Sequence, residues 1–227
     1  MTVSVTNARP WTEIDTWIFD LDNTLYPARA NISGQMDARI TQYVVDTLGL
    51  DWDAARTLQK KFFHEKGTTL AGLIAHHGVD PHHYLAYVHD LEMDRLEHDA
   101  PLVAAIAQLP GRKLIFTNAD APYATRVLDR LGLSDSFEAI HDIHATNYVP
   151  KPDPQVYRGL CDAYALDPAE SLFVEDMARN LAPAKAIGMT TLWVNNGSEQ
   201  GPGPAHDFID FTTHDLAAWL HAAMEAA

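Results

Sequence analysis

The chain runs Thr16-Trp17-Ile18-Phe19 and then stops abruptly at Asp20-Leu21-Asp22-Asn23. A short β-branched and aromatic run cut off by acidic residues reads as a buried strand ending in a polar turn. The pattern returns from Lys113 to Thr117, from Ser171 to Val174 and from Thr190 to Val194, with a shorter version at Ala139-Ile140. Helical patterns lie between these runs. Leu102 to Leu109 is predicted helical. Pro122 to Leu131 is predicted to be a helix closed by Gly132. Asp153-Pro154 supplies an N-cap followed by Pro at the first helical position, opening a helix to Tyr164. A further helix is predicted from Asn180 to Ile187, with Pro183 in its first turn and Gly188 closing it. Thr213 is predicted to cap a last helix that turns Leu216, Trp219 and Leu220 inward. Gly197 to Pro204 reads as a surface loop rich in Gly, Pro and Ser.

Strand–helix alternation of this kind specifies an α/β fold with an open parallel sheet and helices on both faces. Such sheets bind ligands at the carboxyl ends of their strands. One block breaks the alternation. Ile32, Met36, Ile40, Val44 and Leu48 fall every four residues and predict one face of a helix. Ala54, Leu58 and Phe62 predict a second helix. Leu70, Leu73 and Ile74 predict a third, and Pro81 opens a fourth through Tyr84, Leu85 and Val88. The expected organisation is therefore a core in two parts, residues 1–27 and 97–227, with an all-helical insertion at 28–96 placed over the first strand's end. Tyr26-Pro27 reads as the hinge into that insertion, and Tyr26 serves there either in core packing or in stacking on a base.

Charge and composition narrow the partners. The 227 residues carry 31 acidic against 16 basic side chains, a formal charge of -15. That field repels a nucleic-acid backbone and an anionic membrane surface, so a nucleic-acid polymer and a membrane are not expected partners. No stretch approaches the ~18 apolar residues that span a bilayer. The first fifteen residues show no charged segment followed by an apolar run, which is not the pattern of a signal peptide, and a cytoplasmic location is expected. Cys161 is the only cysteine, so a disulfide within the chain and a cysteine metal cluster are both excluded. It is expected to be a buried, inert thiol.

The strand ends carry the chemistry. Residues i and i+2 of an extended chain point the same way, so Asp20 and Asp22 are expected to face one site. Thr117-Asn118 follows the second long strand. Lys151 stands between Pro150 and Pro152, and Glu175-Asp176 follows Phe173-Val174. A cluster of Asp20, Asp22, Glu175 and Asp176 without cysteine suits a hard, oxygen-seeking cation, chiefly Mg²⁺. Lys151 adds a second positive charge, and the Thr117 hydroxyl with nearby N–H groups can hold phosphate oxygens. One carboxylate can then attack phosphorus, while another donates a proton to the leaving oxygen and later takes one from water.

Asp20-Leu21-Asp22-Asn23-Thr24-Leu25 fits the DxDxT signature of the haloacid-dehalogenase-like (HAD) hydrolase superfamily, and the chain resembles that superfamily in its other three motifs, Thr117, Lys151 and Glu175-Asp176, in the same order. The resemblance implies a Rossmann-like parallel sheet with an inserted C1-type helical cap. Within the superfamily, Asp22 to Pro27, Gly67 to Leu73, Ile115 to Asp120, Arg126 to Leu133 and Glu175 to Asn180 resemble the pyrimidine 5′-nucleotidase branch, over Trp17 to Val194. This implies a Mg²⁺-dependent hydrolase of small phosphate monoesters, UMP and CMP first, acting through an aspartyl-phosphate. Asp20 is then the nucleophile and Asp22 the acid/base. Thr117, Asn118 and Lys151 form the phosphate site. Mg²⁺ takes Asp20, the Asp22 main-chain carbonyl and Asp176, with Glu175 bound directly or through water. Glu175 stands where many relatives of the branch carry Asp. The alternatives are a sugar phosphate or other small metabolite as substrate, a phosphomutase, a metal-free dehalogenase, and a non-catalytic protein on the same scaffold.

Three further features are noted. Gly67, Thr68 and Thr69 form a break between two insertion helices that can reach the site and read the leaving group. Arg179 and Asn180 are expected to settle a helix start or brace the loop. Seven histidines in or beside the insertion, at 64, 76, 77, 82, 83, 89 and 98, are expected to be solvated or locally hydrogen-bonded, because adjacent pairs do not share a helix face.

Overall fold

The computed structural model describes residues 13–197 and 207–225. The leading fifteen-residue reading falls mostly, and the Gly197 to Pro204 loop reading almost wholly, outside the described residues. The described strands are β1 (Thr16–Phe19), β2 (Arg112–Phe116), β3 (Ala139–His141), β4 (Ser171–Glu175), β5 (Thr190–Val194) and β6 (Phe211–Thr213). They form one parallel sheet in the order β3-β2-β1-β4-β5-β6. The order reverses beside β1, which pairs with β2 on one side and β4 on the other. Open sheets of this topology have their ligand crevice at that switch point.

The strands are apolar on both faces because helices cover both. Trp17, Phe19, Ile115, Leu172, Val174, Leu192 and Val194 face one apolar cluster. That cluster is completed by α5 (Ala100–Gln108), α6 (Ala121–Leu131) and α9 (Leu216–Glu225). The intervening Ile18, Leu114, Phe116, Phe173 and Trp193 face the other, built with α7 (Pro154–Tyr164) and α8 (Ala178–Ala186). Cys161 lies in this second cluster, and burial pushes its thiol up to about 11, which keeps it protonated and inert as expected.

Between β1 and β2 the chain forms α1 (Ile32–Leu48), α2 (Trp52–Lys66), α3 (Thr69–His77) and α4 (Pro81–Val88). These helices pack around an apolar cluster of their own, with Val44, Phe62, Leu73, Tyr84 and Val88 at its heart and Ile143 joining from the sheet side. Local chemistry sets their ends. Asp51, Asp80, Asp120 and Asp153 each accept a main-chain N–H at a helix start. Gly132 ends α6 at φ 80°, where a Cβ would come within 2.2 Å of His98. No helix among the described residues is long and apolar enough to cross a membrane.

Three expectations are corrected here. The buried face of α2 is Ala55, Gln59 and Phe62, and Ala54 is exposed. Gln59 tolerates burial because its amide bonds to Thr41 and to the Asp37 carboxylate. Helix α8 begins at Ala178 rather than Asn180, so Pro183 lies inside it instead of in its first turn. Asp215, not Thr213, caps α9 through the Ala218 N–H, while Thr213 ends β6, a strand the pattern did not reveal.

Candidate active site

The carboxyl ends of β1, β2 and β4 meet at a cavity of ≈ 220 Å³ roofed by α1 to α4. Every residue expected at the site lines it: Asp20, Asp22, Thr117, Asn118, Lys151, Glu175 and Asp176 from the sheet side, and Gly67, Thr68 and Thr69 from the helical segment.

Lys151 is the hub. Its side chain is 1% exposed, and its ammonium donates at 2.8 Å to each of Asp20 Oδ1, Glu175 Oε2 and the Phe116 carbonyl. It also lies 5.1 Å from the centre of the Phe116 ring and 5.3 Å from that of Phe173. Burial alone lowers a lysine pKa, but the attraction of Asp20 and Glu175 exceeds that cost, and the net direction is upward. The lysine is therefore permanently charged.

Asp20 is raised from the ordinary 3.8 to about 7. Burial is the largest cause, the Glu175 charge adds to it, and Lys151 opposes both. Its other oxygen accepts the Thr24 hydroxyl at 2.9 Å, and the same hydroxyl accepts the Asp176 N–H at 3.1 Å. Thr24 thus pins the β1 turn to the end of β4. In the sequence Thr24 is marked only as the threonine of the DxDxT signature.

Asp22 enters the cavity by a different route from the one expected. The chain leaves the extended form at Leu21, whose carbonyl accepts the Thr24 and Leu25 N–H groups. The Asp22 carboxylate then turns toward α6, where Oδ1 accepts Tyr26 Oη at 2.5 Å and Tyr123 Oη at 2.6 Å. Burial, and then the adjacent Asp22 charge, raise both phenols well above the ordinary range, so both donate. Tyr26, read as a hinge, is a partner of Asp22. Tyr123, 101 positions from Asp22, carried no local signal.

Asn118 lines the cavity and also bonds the Lys151 main chain. Its Oδ1 accepts the Lys151 N–H at 2.8 Å, and its Nδ2 donates to the Lys151 carbonyl at 3.3 Å. Thr117 is 1% exposed, and its hydroxyl accepts the Ala119 N–H at 3.0 Å. Both Glu175 oxygens are engaged, Oε2 by Lys151 and Asn180 and Oε1 by the Met177 N–H at 3.1 Å. Thr68 caps α3 through the Ala71 N–H, and the Thr69 hydroxyl donates to the Gln59 carbonyl. Among the histidines expected to be solvated or locally hydrogen-bonded, His89 is a buried one with a hydrogen bond. It is 6% exposed, its Nδ1 is 2.9 Å from Asp120 Oδ1, and its ring stacks on Tyr123 at 4.4 Å.

The donor set suits a divalent cation. Asp20, Glu175 and Asp176 each place a carboxylate oxygen within 4.8 Å of the others, all buried. The Asn180 Oδ1 beside them is buried and has no hydrogen-bond partner among the described residues, the kind of orphaned acceptor that a hydrated cation satisfies. The set is all oxygen and anionic, which selects Mg²⁺-like ions over thiophilic ones.

The chain is similar to several known proteins. Residues 14–188 match the family model described as haloacid dehalogenase-like hydrolase. Phosphate metabolism protein 8 of Saccharomyces cerevisiae is 28% identical over 189 residues, covering 76% of this chain and 59% of that protein. Phosphoglycolate phosphatase of Rhodospirillum rubrum is 30% identical over 125 residues, covering 52% of this chain and 50% of that one. The chain thus spans about half to three-fifths of these relatives. Among solved structures, CbbY from Rhodobacter sphaeroides in complex with phosphate superposes with a TM-score of 0.62 at 18% identity, covering 93% of this chain and 99% of that one. L-2-haloacid dehalogenase from Xanthobacter autotrophicus superposes with a TM-score of 0.58 at 19% identity, covering 94% and 100%. These last two are likenesses of fold.

Proposed function

This chain belongs to the haloacid dehalogenase-like hydrolases, and we propose that it is a phosphatase of small phosphate monoesters working through an aspartyl-phosphate on Asp20, with UMP and CMP preferred. The observation that carries the reading is the convergence of Asp20, Lys151, Glu175 and Asp176 in one buried cluster. A metal-free dehalogenase gains nothing from packing three carboxylates this closely, since they repel. A phosphomonoester site needs them to hold a cation against substrate charge. The curated relatives' names, a phosphate metabolism protein and a phosphoglycolate phosphatase, support the same class.

In this mechanism Asp20 attacks phosphorus. Lys151, fixed by Asp20, Glu175 and its own main chain through Asn118, supplies fixed positive charge beside the transferring group. Thr117 and adjacent N–H groups hold phosphate oxygens. Asp22 protonates the leaving oxygen and then takes a proton from the water that cleaves the aspartyl-phosphate. Mg²⁺ bound by Asp20, Asp176 and the Asp22 main-chain carbonyl would supply the charge that offsets repulsion between nucleophile and phosphate. The full engagement of both Glu175 oxygens supports a role in holding Lys151, with any contact to the ion through water. Residues 28–96 act as a cap in this reading, 1–27 and 97–227 as the core, and the location is cytoplasmic.

Substrate preference rests on the resemblance of Asp22 to Pro27, Gly67 to Leu73, Ile115 to Asp120, Arg126 to Leu133 and Glu175 to Asn180 to the pyrimidine 5′-nucleotidase branch. The ≈ 220 Å³ cavity favours a second reading, a more compact metabolite phosphate, since it falls below the roughly 300–1,000 Å³ of ordinary ligand sites. Phosphate release from UMP, CMP, AMP, GMP, sugar phosphates and pyridoxal phosphate, with and without Mg²⁺, separates them. UMP and CMP are expected to lead, and EDTA to abolish release. A lead by a compact sugar phosphate selects the second reading, and activity that survives EDTA contradicts the metal's part.

The two phenols on Asp22 Oδ1 give a sharper expectation. They fix one oxygen of the acid/base and leave the other for proton transfer. Tyr123→Phe is expected to slow breakdown of the phospho-enzyme about tenfold, the scale of one hydrogen bond to a charged group. KM should change less than kcat. Single-turnover kinetics with the best substrate measure this, and an unchanged breakdown rate removes Tyr123 from the mechanism.

A further inference from the structure

The first turn of α8 carries Arg179 three residues past Asp176, and its side chain crosses to the helical segment. The guanidinium carbon lies 4.4 Å from the centre of the Phe63 ring, and Nη2 donates to the Gly67 carbonyl at 3.4 Å. Phe63 and Gly67 are the end of α2 and its C-cap, immediately before Thr68 and Thr69. Arg179 lines both the site cavity and an outer groove beside Pro150 and Lys66, so it forms part of the wall between them. At the same seam Gly67 has φ 83°, and a Cβ there would come within 2.9 Å of Pro150 Cγ and 3.1 Å of the Lys151 carbonyl. The junction between α2 and α3 is therefore seated directly on the lysine segment, and Arg179 grips it from the other side.

We infer that Arg179 is a positioning residue that fastens the α2–α3 junction over the site, and so sets KM and the discrimination among leaving groups. The inference rests on the phosphatase reading and adds to it a determinant on α8, just past the fourth motif, rather than in the cap. The seated junction forms part of the cavity wall, and the apparent affinity scales with the fraction of molecules in which it is seated. A cation over an aromatic face and a hydrogen bond to a carbonyl stabilise only the seated form. The chemical groups below are held by Lys151, Thr24 and Asn118 and do not need it.

Arg179→Ala is expected to raise KM for the best substrate about tenfold, the scale of one partly desolvated cation–π contact with its hydrogen bond, with kcat within about twofold. The gap between preferred and poor substrates should narrow. Arg179→Lys should recover part of the loss, because an ammonium still sits over the ring. Phe63→Leu should raise KM by less, since it leaves the Gly67 hydrogen bond, and the double variant should be little worse than Arg179→Ala, which already removes the ring contact. Additive effects, or an unchanged KM in Arg179→Ala, overturn the inference. Amide hydrogen exchange supplies a readout that needs no turnover. Faster exchange over residues 63–70 in Arg179→Ala supports the fastening, and unchanged exchange refutes it. Should the unaltered chain release no phosphate from any substrate, the phosphatase reading falls and the exchange result alone decides the fastening.

Discussion

Asp20→Asn is expected to lower phosphate release by about 10⁴-fold or more, the scale of losing a covalent nucleophile. The amide is nearly isosteric but does not attack phosphorus. The fold should tolerate the change. An amide oxygen still accepts from Lys151, and the Thr24 hydroxyl, which now donates to Asp20 at 2.9 Å, can rotate to accept instead. Removing a carboxylate raised to about 7, by burial first and by Glu175 second, also relieves a desolvation cost. The variant should thus unfold at the same temperature as the parent or slightly above it while losing turnover. Phosphate release and thermal unfolding, measured together, check this. Unchanged turnover would return the chain to the non-catalytic reading.

Lys151→Met is expected to abolish activity and to cost about 3–5 kcal/mol of stability at pH 8, as for any buried ion pair broken on one side. The lysine is 1% exposed, and its loss leaves Asp20 and Glu175 facing each other without compensation. The cost should depend on pH, with a sign fixed by Asp20. Its folded pKa, about 7 with Lys151 present, already lies above the ordinary 3.8, so the fold favours the protonated carboxyl. Removing Lys151 takes away the influence that lowers it. For a carboxyl raised in the folded state, stability falls as pH climbs from the unfolded value through the folded one. The variant should therefore be closer to the parent at pH 5 than at pH 8. Denaturant unfolding at the two values measures the difference. An equal loss at both, or a larger one at pH 5, contradicts the placement of this charge.

Much of this arrangement was legible in the sequence because its signals are local. The strands announced themselves as short apolar runs cut off by Asp20, Thr117 and Glu175, and Asp153-Pro154 and Gly132 marked helix ends by chemistry that acts within one turn. What was missed depends on contacts distant in sequence or on polar burial. Tyr123 reaches Asp22 across 101 positions, and nothing around Tyr123 marks it as a partner. Asn118 lines the cavity as expected, but its bonds to the Lys151 main chain, 33 positions later, had no local signal. His89 was expected to be solvated or locally hydrogen-bonded, and what had no local signal is its burial against Asp120 and Tyr123. The face of α2 was shifted by one residue because Gln59 is buried, and a satisfied buried amide breaks the apolar periodicity from which a face is read. The strand β6 is Phe211-Thr212-Thr213, with a single apolar residue, so it lacks the apolar run by which a strand is read.

The role of Arg179 belongs with these. Its sequence setting suggested a brace at a helix start, whereas its contacts are with Phe63 and Gly67, more than a hundred positions earlier. Core and helical segment are thus joined beside the acidic cluster, so selectivity and chemistry share a wall of the cavity.

The most direct test is chemical trapping during turnover. Protein quenched in acid while hydrolysing its best substrate, reduced with borohydride and digested should yield one peptide in which Asp20 has become homoserine, with Asp22, Glu175 and Asp176 unchanged. Reduction at any other carboxylate, or no reduced residue while phosphate is still being released, contradicts an aspartyl-phosphate on Asp20.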